Sequence, residues 1–233
     1  MVGKSLTILV SVEAPRALEE LTRRAAALCG VSVGQLARHL GVELPDDPRR
    51  AKGATGELVE AALGASAGNL DLPDFPELGV ELKTIPLDAE GRVRESTHVC
   101  SIDLASTVDA EWENSRVWRK LRRVLWVPVE SAAAGKPLSA RRLGRALLWE
   151  PTSAQVATLE ADWTLLVGRI AVGGVEQLDA RMGEALQVRP KAANAAVQTD
   201  APGADGASIR TGPRGFYLRA RFTERVLWEL TGS

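Results

Sequence analysis

Asp74, Glu81 and Lys83 are the residues whose types and spacing could do chemistry. They sit in the stretch from Gly68 to Pro86, which opens as a loop and closes as a strand, Gly79 to Ile85, with apolar and polar residues alternating. Alternate side chains of a strand share a face, so Glu81 and Lys83 point the same way, roughly 6.6 Å apart along the strand. Val80 and Leu82 take the opposite face. Two carboxylates converging on one point can hold a hard dication such as Mg²⁺, which prefers oxygen ligands. A lysine beside them can orient a water and neutralise charge developing on a phosphate. The same letters also fit a surface ion pair on a solvated strand, so the surrounding elements decide what the three residues are for.

Ahead of this strand, the sequence predicts helices over Ala14 to Gly30, Val33 to Leu40 (with Ser32 as its cap) and Gly56 to Leu63. Glu57 and Glu60 lie on the last of these. After it come a turn at Asp88 to Arg94 and a strand near Thr97 to Leu104, together read as a hairpin-like part of a mixed sheet. Asn114 to Arg123 reads as a short helix whose Arg116, Arg119, Lys120 and Arg123 recur at i, i+3, i+4 and i+7. Four cations on one face repel one another unless an anion meets them. They make either a plain solvated face or a phosphate-facing surface.

Val124 to Val129 is a continuous apolar run, predicted as a buried strand. A basic stretch, Leu138 to Arg145, and a short strand at Ala146 to Trp149 follow. Ser153 to Val172 reads as a long helix with Ser153 as cap and Trp163 on its apolar stripe. A strand over Ala185 to Val188 leads into Arg189-Pro190-Lys191. Thr199 to Ala207, rich in Gly, Ala, Asp and Pro, reads as an exposed loop. Ile209 to Leu218 reads as a turn into a strand that presents Arg214 or Tyr217, and a helix over Phe222 to Leu230 closes the chain.

The chain has 233 residues, 45% hydrophobic and 25% charged, enough for one domain or two closely joined lobes. Its formal net charge of −1 argues against a uniformly basic nucleic-acid binder but leaves room for a local basic surface. The two cysteines, Cys29 and Cys100, lie in apolar contexts and read as buried, reduced thiols of a cytoplasmic protein. His39 and His98 share no zinc-ligand spacing with them. No apolar run approaches a membrane span, and Leu6 to Val12 reads as a short strand or unpacked extension rather than a signal peptide.

Asp74 followed by Glu81-Leu82-Lys83 resembles the PD-(D/E)xK nuclease motif. The blocks around it narrow the resemblance. Lys52-Gly53, Gly56, Glu60, Leu63 to Gly68, Leu78 to Pro86, Lys120 to Glu130, Gln187 to Asn194 and Pro213 to Leu218 resemble, in order, the MutH family of DNA mismatch-repair endonucleases. That resemblance covers most of the chain. It implies a restriction-endonuclease-like α/β fold, with a central mixed β-sheet flanked by helices and two lobes around a DNA-binding cleft. It treats residues 1–233 as a single domain of two sub-lobes. The function it implies is nicking of the unmethylated strand at hemimethylated GATC sites, with one or two Mg²⁺ ions, by a monomer that MutL activates and MutS precedes.

By the same resemblance, Asp74, Glu81, Glu60 and the main-chain carbonyl of Leu82 serve the metal. Lys83 positions or activates the water and Lys120 supports the scissile phosphate. Arg189, Lys191 and Tyr217 read the site, and Lys52, Arg116, Arg119 and Arg214 join the DNA contacts. An Arg or Lys can donate to a guanine edge in the major groove, and an aromatic ring against an adenine amino group leaves no room for a methyl. The chain departs from the family pattern at Arg116 to Arg119, where more histidine is expected, and at His98, where an aromatic is expected. Two other readings share the motif: a restriction enzyme that cuts GATC on both strands, and a DNA-binding accessory module without catalysis.

Overall fold

The computed structural model describes residues 12–45, 53–68, 71–131, 136–191 and 196–232. The opening segment Leu6 to Val12, apart from its last residue, and Lys52 lie outside them. The described residues of 1–94 and 123–149 form one compact unit, and those of 95–122 and 150–232 form a second.

The first unit is built on a mixed three-stranded sheet in the order β1-β3-β4. Strand β1 (Glu81–Leu87) runs parallel to β3 (Val124–Glu130), and β4 (Leu147–Trp149) returns antiparallel. The apolar run of β3 is buried, as its composition requires: Val124, Leu125, Trp126 and Val127 are at most 1% exposed. β1 begins two residues later than the alternation predicts and carries Pro86 within it, tolerated because β1 is an edge strand of this sheet. Helices α1 (Leu18–Ala27), α2 (Val33–His39) and α3 (Ala54–Leu63) supply the rest of this unit's core. Leu21, Leu36, Leu40, Leu58, Val59 and Leu63 pack in one cluster with Val80, Leu82, Leu125 and Val127. Ser32 caps α2 in a reciprocal capping box with Gln35.

The second unit holds an antiparallel sheet in the order β2-β8-β5: β2 (Thr97–Ser101), β5 (Leu186–Pro190) and β8 (Arg214–Leu218). The strand at Thr97 therefore pairs with β8 and not with β1, which corrects the hairpin expected there. Helix α4 (Arg116–Leu121) is shorter than its pattern predicts, because Trp112–Asn114 forms a separate 3-10 turn and Ser115 caps the helix through the Trp118 N–H. Arg123 thus lies beyond the helix, and its guanidinium donates to the Leu78 carbonyl at 3.0 Å. The face expected to carry four cations carries Arg116, Arg119 and Lys120, all half-buried.

Helix α5 (Ser153–Ala171) is capped one residue earlier than expected, by Thr152 with Gln155. Trp163 is core, 6% exposed. The stretch expected to be a loop at Thr199 to Ala207 contains strand β6 (Thr199–Pro202), paired with β7 (Ser208–Thr211) through an Asp205-Gly206 turn. Cys29 is exposed rather than buried, whereas Cys100 is buried. Helix α6 (Ala220–Thr231) ends the described chain.

One contact fixes β5 against its helix. The Asp162 carboxylate of α5, 7% exposed, accepts from the backbone N–H groups of Glu184, Ala185 and Leu186 at 2.6 to 2.9 Å. Truncating it strands two buried donors and one half-buried donor at the start of the strand that carries Arg189 and leads to Lys191. The Asp162→Ala variant is expected to lose about 3 kcal/mol of stability in urea unfolding. A loss under about 0.5 kcal/mol would show that the clamp is idle.

Candidate active site and base-reading face

The first candidate site is made by a tight reversal ahead of β1. Phe75 and Val80 exchange both backbone hydrogen bonds, at 2.9 and 3.2 Å, around a 3-10 turn at Pro76–Leu78. Gly79 closes the turn at φ +62°, a conformation that strains any residue with a Cβ. The reversal folds Asp74 back onto β1, where its Oδ2 accepts from the Leu82 N–H at 2.7 Å. The Asp74 carbonyl accepts from the Ser66 and Ala67 N–H groups, which ties the same turn to the end of α3.

Glu81 and Lys83 share the outer face of β1, while Val80 and Leu82 enter the core, as the alternation predicts. The Lys83 ammonium is hydrogen-bonded to Glu81 Oε1, with side chains 17% and 2% exposed. Helix α3 lies against β1, with Gly56 beside Thr84 and Glu60 one turn further on. Burial pushes the Glu60 carboxyl up to about 7, and the charge of Asp74 adds to the push. Burial works against the Lys83 ammonium, but Glu81, Asp74 and Glu60 outweigh it and hold its pKa above the ordinary lysine value. That field favours the charged form of Lys83. Three carboxylates facing one ammonium leave a negative surplus, the setting in which a hard cation is favoured. Among the described residues, no three His, Cys, Asp or Glu side chains stand ready around a single ion.

The second candidate site lies on one face of the β2-β8-β5 sheet. Registers pair His98 and Gln187 with Tyr217, and Ser101 and Arg189 with Gly215. A bulge between His98 and Cys100 brings His98 and Ser101, three apart in sequence, to the same face. The Arg189 guanidinium carbon stands 5.7 Å from the centre of the Tyr217 ring, and the His98 ring meets that ring edge-on at 5.1 Å. Lys191 Nζ lies 2.6 Å from His98 Nε2 and 3.1 Å from Ser101 Oγ. Arg189 and Lys191 are exposed and Tyr217 is half-buried. Arg214 is turned elsewhere: its guanidinium meets Glu176 at 3.3 Å and the Gly212 carbonyl at 2.8 Å, with 13% of the side chain exposed. Spacing alone does not reveal His98 and Ser101 as members of this cluster. The bulge that joins them has no signature in the sequence.

The family model described as "DNA mismatch repair enzyme MutH" matches residues 63–162. The DNA mismatch repair protein MutH of Shewanella amazonensis is 50% identical over 91% of this chain and 95% of its own. The protein of that name from Shewanella oneidensis is 46% identical over 95% and 99%, and that from Klebsiella pneumoniae 49% over 91% and 92%. This chain belongs to the MutH family. Membership makes it a hydrolase of DNA with a restriction-endonuclease-like fold, and the mixed sheet flanked by helices agrees with that fold. No helix among the described residues is long and apolar enough to cross a membrane.

The raised Glu60 pKa carries a sign. Between the ordinary value of 4.5 and about 7, folded Glu60 keeps a proton that the unfolded chain has released. Stability associated with the protonated group is complete below 4.5 and lost as pH rises through about 7. In metal-free buffer, Glu60→Gln should be more stable than the native chain at pH 8, by on the order of 3 kcal/mol, and equal to it at pH 4. Equal stability of the two at pH 8 would contradict the strained carboxylate.

Proposed function

We propose that this MutH-family endonuclease nicks the unmethylated strand at hemimethylated GATC sites, with Mg²⁺ at the Asp74–Glu81 site and activation by MutL downstream of MutS. The observation that carries the reading is the convergence of Asp74 and Glu81, with Lys83 on Glu81, at the head of β1. The donor set is hard oxygen and its charge surplus is negative, which fits Mg²⁺ in preference to softer ions. Asp74, Glu81 and the Leu82 carbonyl would hold the metal, one ion or two, with Glu60 assisting. Bound there, Mg²⁺ would lower the pKa of a water and draw charge off the phosphate.

The chain's own groups do the rest. The Lys83 ammonium would position or activate the attacking water. It donates to the attacking water or a phosphate oxygen and stabilises the charge that develops there. Glu81 holds that ammonium in place. Burial of Val80 and Leu82 in the core keeps β1 from turning, so the two side chains stay on one face. In the second unit, Lys120, Arg116 and Arg119 offer cations to DNA phosphates. Arg189 and Lys191 donate to base edges, and the Tyr217 ring, flanked by Arg189 and His98, tests for the adenine methyl. Lys52 completes the phosphate contacts. The protein works as a cytoplasmic monomer.

A nicked-plasmid assay with hemimethylated and fully methylated GATC substrates, with and without MutL, tests the reading. Hemimethylated plasmid should be nicked on one strand, faster with MutL, and fully methylated plasmid spared. Equal cutting of both substrates, or double-strand cleavage, would favour a restriction enzyme. Lys83→Ala should lower the nicking rate by on the order of a thousandfold while leaving DNA binding intact. Unaltered nicking would remove Lys83 from the mechanism.

A further inference from the structure

The His98 imidazole is bonded to a lysine as well as stacked edge-on against Tyr217. We infer that His98 is a positioning residue that aims the Lys191 ammonium at a base edge. The inference rests on the reading of Lys191 as a base contact.

The chemistry of the pair fixes the roles of its atoms. An ammonium has only donors, so at 2.6 Å from Lys191 Nζ the His98 Nε2 is the acceptor. The imidazole is then neutral, with its proton on Nδ1. Lys191 Nζ also donates to Ser101 Oγ at 3.1 Å. These two acceptors fix where the ammonium head sits on this face of the sheet. Lysine normally brings a four-carbon stem with large rotamer entropy to a contact. Two partners that hold its head before DNA arrives reduce the ordering left to do on binding.

The backbone is built to bring the three side chains together. The β2 bulge puts His98 and Ser101 on one face, two strands away from Lys191. Between them runs β8, and there the residue beside the cluster is Gly215. A Cβ at that position would stand 3.1 Å from the Cys100 carbonyl, 3.3 Å from Tyr217 Cε2 and 3.4 Å from His98 Cδ2. The missing side chain leaves room over β8 for the imidazole and the tyrosine ring to meet. Tyr217, edge-on to His98 at 67°, fixes the ring plane and with it the direction of Nε2. A phenylalanine in place of His98 could keep that ring contact but would offer Lys191 no acceptor.

Two measurements on the full-length chain test the inference. The chain has two histidines, so their imidazole nitrogens are resolvable by NMR. His98 should be the Nδ1–H tautomer in the free protein. The Nε2–H tautomer would overturn the proposal whatever the variants do.

The second measurement is the ratio of affinities for a duplex containing GATC and one with a single base pair of that site changed. It is taken at one salt concentration, with Ca²⁺ in place of Mg²⁺ to hold cleavage. His98→Phe should lower that ratio by roughly tenfold or more, with the non-specific affinity and thermal midpoint unchanged. His98→Gln, which restores an acceptor, should recover the ratio to within about threefold of native. Lys191→Ala should collapse it. If Lys191→Ala collapses the ratio and His98→Phe leaves it within about twofold of native, the His98 role is overturned while the Lys191 reading stands. If Lys191→Ala leaves the ratio unchanged, the base-reading role of Lys191 itself falls.

Discussion

Burial of acids beside a single ammonium, with Glu81, Asp74 and Glu60 around Lys83, is the constraint on which the first unit turns. Nothing about a strand or a helix requires acids from both to approach one lysine. The chain gathers them by spending well-packed structure around the site. The Phe75–Val80 reversal returns Asp74 to β1, and the parallel pairing with β3 locks which face Glu81 and Lys83 present. The apolar cluster beneath Val80 and Leu82 prevents the strand from relieving the strain by a one-residue slip, since such a slip would drive both charges into the core. Burial, with the charge of Asp74 added, makes Glu60 keep a proton near neutral pH, and the neighbouring carboxylates keep Lys83 charged. The Mg²⁺ in the proposed reaction would answer the same field with a charge that the protein itself does not supply.

The second unit solves a different problem with different means. Its task in the proposed function is discrimination, and its cluster mixes donors with rings. The Tyr217 ring is contacted by an Arg189 guanidinium and by the edge of His98, so its orientation is set by partners on two neighbouring strands. Lys191 is tied to His98 and Ser101 in the same way. Recognition by prearranged groups gains specificity because a wrong base leaves ordered donors unpaired. Asp162 anchors the backbone at the start of β5, the strand that carries Arg189.

The two faces of β1 were legible because period-two alternation is a strong local signal: Glu81 and Lys83 on one side, Val80 and Leu82 on the other. The long helix and the buried strand at Val124 were equally open to reading. What stayed hidden was set by tertiary choice. The strand at Thr97 reads as the partner of the one before it, yet it joins β8, because pairing partners are not encoded in the pattern of either strand alone. Turn-forming residues at Gly203 to Gly206 dominated the reading of their surroundings, although an Asp-Gly pair between short strands is itself a hairpin signal. The four-cation helix face lost Arg123 because the helix ends at Leu121, where the chain turns into β3. The His98–Lys191 pair depends on a bulge, and a bulge is a property of two strands in register.

The most direct test of the charged cluster is calorimetric titration of Mg²⁺ into EDTA-treated full-length chain bound to a GATC duplex, for the native protein and Glu81→Gln. The account predicts binding by the native complex and an affinity at least roughly tenfold weaker when Glu81 loses its charge. Equal Mg²⁺ affinity in the two would mean that the acids gathered at the head of β1 are not where the cation goes.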